Sequence, residues 1–314
     1  YASRGLGDVY KRQVYANSFR TDRGLVSTLS GHISYPTTSI MKLPAKSRLL
    51  PGIARTLQQA GYQTDFLYGG DINFTNMRSY FTTTGYQHLT SDTDFSIKER
   101  TSRSWGAHDE YTFDRLYEML ESRPADRLWH TGFLTLSSHE PFEVPYNRLK
   151  DKRQNSFAYT DHCLGEFIDR LKQLPVWNNL LVICLPDHGS SPTFNVTSPT
   201  FYHIPMLWLG GAIKAPAVIH TLMNQSDMPA TLLGQLGLPH QDFKYSRNIF
   251  STSYTYPFAY STFSDGFMFK DSTGVTIFDN AARKPVYNEP APDGAREEKG
   301  MAILQTSYDQ LGEN

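Results

Sequence analysis

The sequence predicts an α/β domain followed by a small C-terminal antiparallel β subdomain, on three observations. Apolar runs of strand length alternate with segments whose apolar residues recur every three or four positions. One of these runs, Leu180-Leu-Val-Ile-Cys-Leu185, is aliphatic throughout, as expected of a strand buried on both faces. Beyond residue 254 the texture changes to short aromatic-rich runs punctuated by Asp265-Gly266 and Thr273-Gly274, a pattern of antiparallel hairpins.

The elements follow in order. Residues 21–29 predict a helix, with Thr21 as its cap. Residues 30–42 read as a polar loop. Residues 51–60 predict a helix, with Pro51 near its first turn and Gly61 as its stop. Residues 63–68 predict a strand ended by Gly69-Gly70, and 73–81 another helix. Residues 109–122 carry Phe113, Leu116, Met119 and Leu120 at helical spacing. Residues 128–136 predict a strand. The strongest helical period lies in 156–171, with Phe157, Leu164, Phe167, Ile168 and Leu171 on one face. Strands follow at 180–185 and 204–209, then a helix at 228–236. Residues 258–263, 267–270 and 275–278 predict the antiparallel strands. The Pro-rich 288–294 leads to a polar terminal helix.

Composition removes several classes of function. With 30 Lys+Arg against 31 Asp+Glu, no bulk field draws nucleic acid or an anionic surface. Two cysteines make neither a disulfide framework nor a Cys-rich zinc module. Cys163 and Cys184 read as core thiols, with a disulfide between them left open. No apolar run reaches the ~20 residues of a membrane span. Residues 1–13 lack an initiator Met, a clear period and the apolar centre of a signal peptide. They read as a non-native or disordered leader. The division expected is leader 1–13, main α/β domain 14–250, and β subdomain with terminal helix 251–314.

Three segments carry chemistry. Leu185-Pro-Asp-His-Gly-Ser190 sets Asp187 and His188, two possible metal ligands, just past a strand, where open α/β sheets place their sites. Gly189 suits a backbone turning closely round an ion. Leu134-Thr-Leu-Ser-Ser-His-Glu-Pro-Phe142 delivers His139, a possible proton donor or oxyanion partner, after another strand. Phe19-Arg-Thr-Asp-Arg-Gly24 sets Thr21 at a helix N-terminus, in positive potential that favours an alkoxide and an incoming anion. Arg23 there could hold phosphate as a planar fork.

In this order the three segments resemble the alkaline-phosphatase superfamily, and more narrowly its lipoteichoic-acid-synthase and sulfatase-like branch. Tyr68-Gly-Gly-Asp-Ile-Asn-Phe74, Trp105-Gly-Ala-His-Asp109, Ala158-Tyr-Thr-Asp161 and Ser226-Asp-Met-Pro-Ala-Thr-Leu232 extend the resemblance over nearly the whole chain after residue 14. It implies a three-layer α/β/α sandwich with a mostly parallel central sheet. It implies Thr21 as nucleophile and metal ligand, Asp187 and His188 as further ligands, and His139 against the transferred group. Arg23, Asp71, Arg78, Trp105 and His203 fall where the substrate head group is bound. One divalent ion is implied, Mn²⁺ first and Mg²⁺ or Zn²⁺ as alternatives, which oxygen and imidazole donors suit.

The activity implied is transfer or hydrolysis of a phosphoglycerol-type head group through a phospho-threonine intermediate. The substrate expected is an anionic phospholipid or phosphorylated glycan, with no nucleic-acid partner. The place expected is the cell membrane, reached through an N-terminal region missing here, with an extracytoplasmic catalytic domain. A sulfatase-like hydrolase or a phosphoethanolamine transferase is the alternative within enzymes. A catalytically inactive envelope sensor or lipid-binding domain is the alternative outside them. Two departures bear on this. The resemblance places an acidic ligand at the end of a first strand well before the nucleophile, yet only 20 residues precede Thr21, and Asp8 lies in the wrong context. No Cys/Ser-X-Pro-X-Arg motif occurs, which favours phosphoryl over sulfuryl transfer.

Overall fold

Parallel strands organise both units into which the chain divides in the computed structural model, which describes residues 9–124 and 126–313. The described part of the first unit comprises residues 57–182 and 208–216, and that of the second 9–56, 183–207 and 217–313.

In the first unit the strand Gln63–Tyr68 lies between His88–Thr90 and Trp129–Leu134, parallel to both. Its residues are buried from Thr64 onward, and Phe66 stacks on Phe81 with ring centroids 3.8 Å apart. Two helices, Asp109–Glu121 and Lys152–Leu171, meet through Phe113 and Phe167, whose rings are 5.1 Å apart. The second of these starts earlier than its apolar period, because Asp151 accepts from the Gln154 amide at 2.8 Å and caps it. Its buried face holds Phe167, Ile168 and Leu171 as expected and continues through Cys163, Tyr159 and Ser156, with Leu164 half-buried. Phe157 instead lies outside, 40% exposed beside the Arg153 guanidinium. Near residue 73 the expected helix is delayed. Thr75 and Asn76 take positive φ, and the α-helix covers Met77–Thr83.

The edge strand Trp129–Leu134 carries a titration. His130 is half-buried with Tyr86 Oη 3.1 Å from its Nε2, and burial pulls its pKa down to about 4. The unfolded imidazole titrates near 6.5, so the unfolded chain binds the extra proton between those values. Stability from this group is therefore complete above pH 6.5 and falls as pH drops toward 4, by at most about 3 kcal/mol. Melting curves from pH 7 to 4 should show this loss, and His130→Gln should flatten it. An equal acid loss in His130→Gln would assign it elsewhere.

Five strands, all in the second unit save for Val182, Trp208 and Leu209, form one sheet, in the order Val182–Cys184, His203–Leu209, Val9–Tyr15, Ala217–Ile219, with Met223–Asn224 also on Val9–Tyr15. Val9 to Lys11 pair in parallel with 217–219, and Val14 and Tyr15 with Met223 and Asn224. Residues 9–13 are thus part of a paired strand, which corrects the expectation of a leader without structure there. Residues 1–8, Asp8 included, lie outside the described residues. Lys11-Arg12-Gln13 hides the strand in the sequence, yet backbone pairing on both edges sustains it, and Lys11 is buried with its pKa lowered to about 8 by desolvation. No acidic residue ends this strand, since Ala16 and Asn17 follow Tyr15.

The aliphatic run 180–185 also differs from expectation. Only Val182–Cys184 form a strand, and all three residues are half-buried. The strand stands at an end of its sheet, so no neighbour on one side shields its side chains. Cys163, buried, and Cys184, half-buried, form no disulfide.

An antiparallel sheet closes the second unit, in the order Lys284–Glu289, Gly274–Asp279, Gly266–Asp271, Ala259–Phe263. Its first strand was not expected, because Pro285 interrupts it, but Pro is tolerated on an edge. Met268, Val275 and Ile277 share one core with Tyr15, Phe201 and Tyr202. The antiparallel sheet therefore belongs to the same unit as the Thr21 helix, rather than to a separate 251–314 subdomain. The helix Gly294–Glu313 ends the description, and no helix among the described residues is long and apolar enough to cross a membrane.

Candidate functional site

Each unit carries one group of the expected residues. In the second unit the loop after Val9–Tyr15 feeds the helix Thr21–Ser30. The cap of that helix is Arg20, extended at φ −146° and ψ 147°, and Thr21 is its first helical residue. No side chain caps the leading amides, so the N-terminal partial charge stays open to an anion. The Thr21 side chain is half-buried and has no hydrogen-bond partner among the described residues. Its hydroxyl is thus not spent on capping, contrary to the local expectation.

Gly24 decides what this helix end faces. A Cβ built there would lie 1.7 Å from the carbonyl oxygen of Asp187. Only a glycine lets the first turn settle on the Asp187-His188 loop. Three further contacts fix that loop: Gly189 N–H donates to Ser18 O at 3.0 Å, and Gln225 Nε2 donates to the carbonyls of Pro186 at 3.0 Å and Asp187 at 2.7 Å. Gln225 Oε1 in turn accepts from the Asn17 amide. Asp187 and His188 face each other, with Oδ2 and Nε2 3.8 Å apart, and both side chains are about a quarter exposed. His188 Nδ1 lies 2.7 Å from Gly189 O. Gly189 serves packing rather than an ion, since a Cβ there would lie 2.4 Å from the carbonyl oxygen of Phe201.

Two expected members of this group are engaged elsewhere. Arg23 spends its guanidinium on backbone, donating to Tyr35 O and Thr38 O at 3.2 Å and Pro36 O at 3.4 Å. A fork that matches phosphate matches converging carbonyls equally well. Arg20 is exposed with no partner among the described residues, so the free cation beside Thr21 is Arg20. His203 stacks on Tyr15 at 5.2 Å and bonds Arg12 O through Nε2 at 2.5 Å, which ties it to the strand and not to the Thr21 loop.

Thr21 hydroxyl, Asp187 carboxylate and His188 imidazole are the donor types a divalent ion takes, and the unpartnered hydroxyl leaves one donor free. They fit such an ion in kind. Among the described residues no third His, Cys, Asp or Glu joins Asp187 and His188, so this chain offers three donors, one of them a hydroxyl.

In the first unit His139 sits on the loop after Trp129–Leu134. Its ring meets Trp105 edge-on at 5.4 Å, and Trp105 meets Phe74 at 6.2 Å. Trp105 and Phe74 are each about half exposed. Asp71 and Arg78 lie on one neighbouring turn, both bonded to Asn73: Asp71 Oδ1 accepts from Asn73 N at 2.8 Å and Arg78 Nε donates to Asn73 Oδ1 at 2.9 Å. Sequence reasoning missed what holds the His139 loop. Fully buried Asp109 accepts from the Leu136 and Ser137 amides through Oδ1, at 2.8 and 3.0 Å, and from Thr160 Oγ1 through Oδ2 at 2.6 Å. Arg103 donates to the carbonyls of Leu136, His139 and Glu140. His108 is buried, and desolvation with the Arg103 charge lowers its pKa, so it stays neutral beside Ser137. The sequence signal was the Asp of the Trp-Gly-Ala-His-Asp motif, opening a helix and yet facing inward.

An unpartnered hydroxyl on a helix N-terminus, with an Asp-His loop packed on the same helix at Gly24 on an α/β scaffold, is in keeping with the alkaline-phosphatase superfamily. The family model described as sulfatase matches residues 8–238, and the chain belongs to that family. Among curated relatives it is 25% identical over 238 residues to the lipoteichoic acid synthase-like YvgJ of Bacillus subtilis, covering 65% of this chain and 37% of that protein. It is 23% identical over 285 residues to the lipoteichoic acid synthase of Staphylococcus saprophyticus, covering 81% of this chain and 43% of that one. The matches thus span less than half the length of these relatives. Among solved structures, an alkaline-phosphatase-superfamily protein of Vibrio parahaemolyticus superposes with a TM-score of 0.82 at 23% identity, over 98% of this chain and 80% of that one. The lipoteichoic acid synthase LtaP of Listeria monocytogenes does so at 0.80 and 17%, over 97% and 84%.

Proposed function

We propose that this chain acts as a catalytic domain that transfers or hydrolyses a phosphoglycerol-type head group through a phospho-threonine intermediate. The observation that carries the reading is the unpartnered Thr21 hydroxyl on an uncapped helix N-terminus packed directly on Asp187. Thr21 Oγ attacks phosphorus, and the bond from phosphorus to the lipid alcohol breaks. The Thr21 proton passes to solvent and the departing alkoxide takes one up. An acceptor hydroxyl or water then attacks the phospho-threonine and restores the free hydroxyl. The helix N-terminus and Arg20 hold the phosphate, whose charge both attract. A divalent ion, Mn²⁺ first, would be held by Thr21, Asp187 and His188; when bound it supplies positive charge that favours the ionised hydroxyl. The setting is the outer face of the cell membrane.

The test uses the full-length protein with phosphatidylglycerol and Mn²⁺. Diacylglycerol should be released, and Thr21→Ala should abolish the release while leaving the melting temperature in place. Release unchanged in Thr21→Ala would sink the mechanism. A second reading, an inactive lipid-binding or sensor domain, is favoured by the absence of a third His, Cys, Asp or Glu beside Asp187 and His188 among the described residues. It predicts lipid binding without turnover in the same assay. The likeness to the periplasmic domain of Escherichia coli EcEptC, with a TM-score of 0.60 at 14% identity, reaches the fold alone.

A further inference from the structure

The second unit holds a cavity of about 280 Å³ that the proposed chemistry does not use. Thr21, Asp187 and His188 do not line it. Ile33, Phe258 and Ile303 form apolar walls, and Lys244, Arg247 and Tyr260 are three of the seven polar residues on its lining. The volume lies just below the usual range of small-molecule sites, about 300–1,000 Å³.

Two donors on its lining residues are left without partners. Tyr260 is 1% exposed, and its buried hydroxyl has no hydrogen-bond partner among the described residues. Arg247 Nη1 is buried and equally without one. Lys244 makes no ion pair among the described residues. A buried donor left unmade costs about 1–3 kcal/mol, so two at one cavity point to an occupant that accepts. Charge narrows the occupant. Asp227 takes Arg247 Nε at 2.9 Å and Nη2 at 2.6 Å, which neutralises that guanidinium while leaving Nη1 over. No Asp or Glu lines the cavity, so Lys244 is one uncompensated positive charge.

We propose that this cavity is a binding site for a small organic monoanion, a carboxylate on an apolar body. The carboxylate accepts from Lys244 Nζ, Arg247 Nη1 and Tyr260 Oη, and the body packs on Phe258, Ile33 and Ile303. One positive charge suits a carboxylate better than a doubly charged phosphate monoester. Mostly apolar walls suit a hydrocarbon body better than a sugar.

Octanoate is the probe, titrated calorimetrically into this chain. It should bind saturably at one site, with 1-octanol and acetate each at least about tenfold weaker, as loss of one charge-assisted hydrogen bond or of the buried body requires. Tyr260→Phe should weaken octanoate about tenfold, and Lys244→Met at least as much, with melting temperatures unchanged. Thr21→Ala should bind octanoate like the parent, so the outcome does not follow the fate of the proposed reaction. The proposal is overturned by no saturable octanoate binding, by full binding in the Lys244→Met/Tyr260→Phe double variant, or by octanol binding as tightly as octanoate.

Discussion

Replacing Gly24 by alanine is expected to destabilise the second unit by about 3 kcal/mol or more and to remove any activity that depends on Thr21. The new methyl carbon would stand 1.7 Å from the Asp187 oxygen, where real contacts of this kind stay beyond 3.0 Å, so one side must retreat by at least 1.3 Å. Neither side yields easily. Gly24 donates its amide to Arg20 O at 3.0 Å, inside the first helical turn. Asp187 O is the acceptor for Gln225 Nε2 and cannot rotate away as a side chain would. The relaxed variant either unwinds the turn that carries Thr21 or drives the Asp187-His188 loop outward. A fall in melting temperature and loss of the Thr21-dependent reaction are the readouts. A Gly24→Ala protein that melts and reacts like the parent would show that the helix end and the loop are not in contact.

The second large effect is expected at Asp109 in the first unit. Asp109→Ala removes the acceptor for two backbone amides and the Thr160 hydroxyl at a site with no exposure. Buried donors without acceptors and the Arg103 guanidinium without its nearby counter-charge add to about 3–5 kcal/mol. Asp109→Asn separates geometry from charge. Its carbonyl still accepts from Leu136 and Ser137, and its amide can donate to Thr160, so the cost should fall to about 1 kcal/mol. Denaturant midpoints of the two variants measure the gap. Equal midpoints would mean that the Asp109 hydrogen bonds do not hold the His139 loop.

The elements that the chain reveals early are those built from local patterns. The periods in 21–29, 63–68 and 109–122 recur in the structure as Thr21–Ser30, Gln63–Tyr68 and Asp109–Glu121. The short motifs also place Thr21, Asp187 and His188 at element ends, which is where the folded chain has them. Such features depend on residues within a few positions of one another, so a one-dimensional reading reaches them.

What escaped that reading depends on partners far along the chain. Arg23 carries the right chemistry for phosphate, but carbonyls 35–38 fold back onto it. Gln225 bears no motif, yet it is bonded to the loop 38 residues upstream that carries Asp187. Residues 9–13 look too polar for a central strand, and parallel pairing of Val9 to Lys11 with 217–219, continued at Val14 and Tyr15 by Met223 and Asn224, makes them part of one. Val182–Cys184 looks fully buried, and its place at the end of a sheet leaves it half open. Composition, family motifs and helix periods were therefore legible from residue order, because side-chain chemistry and backbone period are local properties. Which cation stands free beside Thr21, which glycine admits the Asp187 loop and which buried acid holds the His139 loop were settled by packing, because desolvation and close approach exist only once distant segments meet.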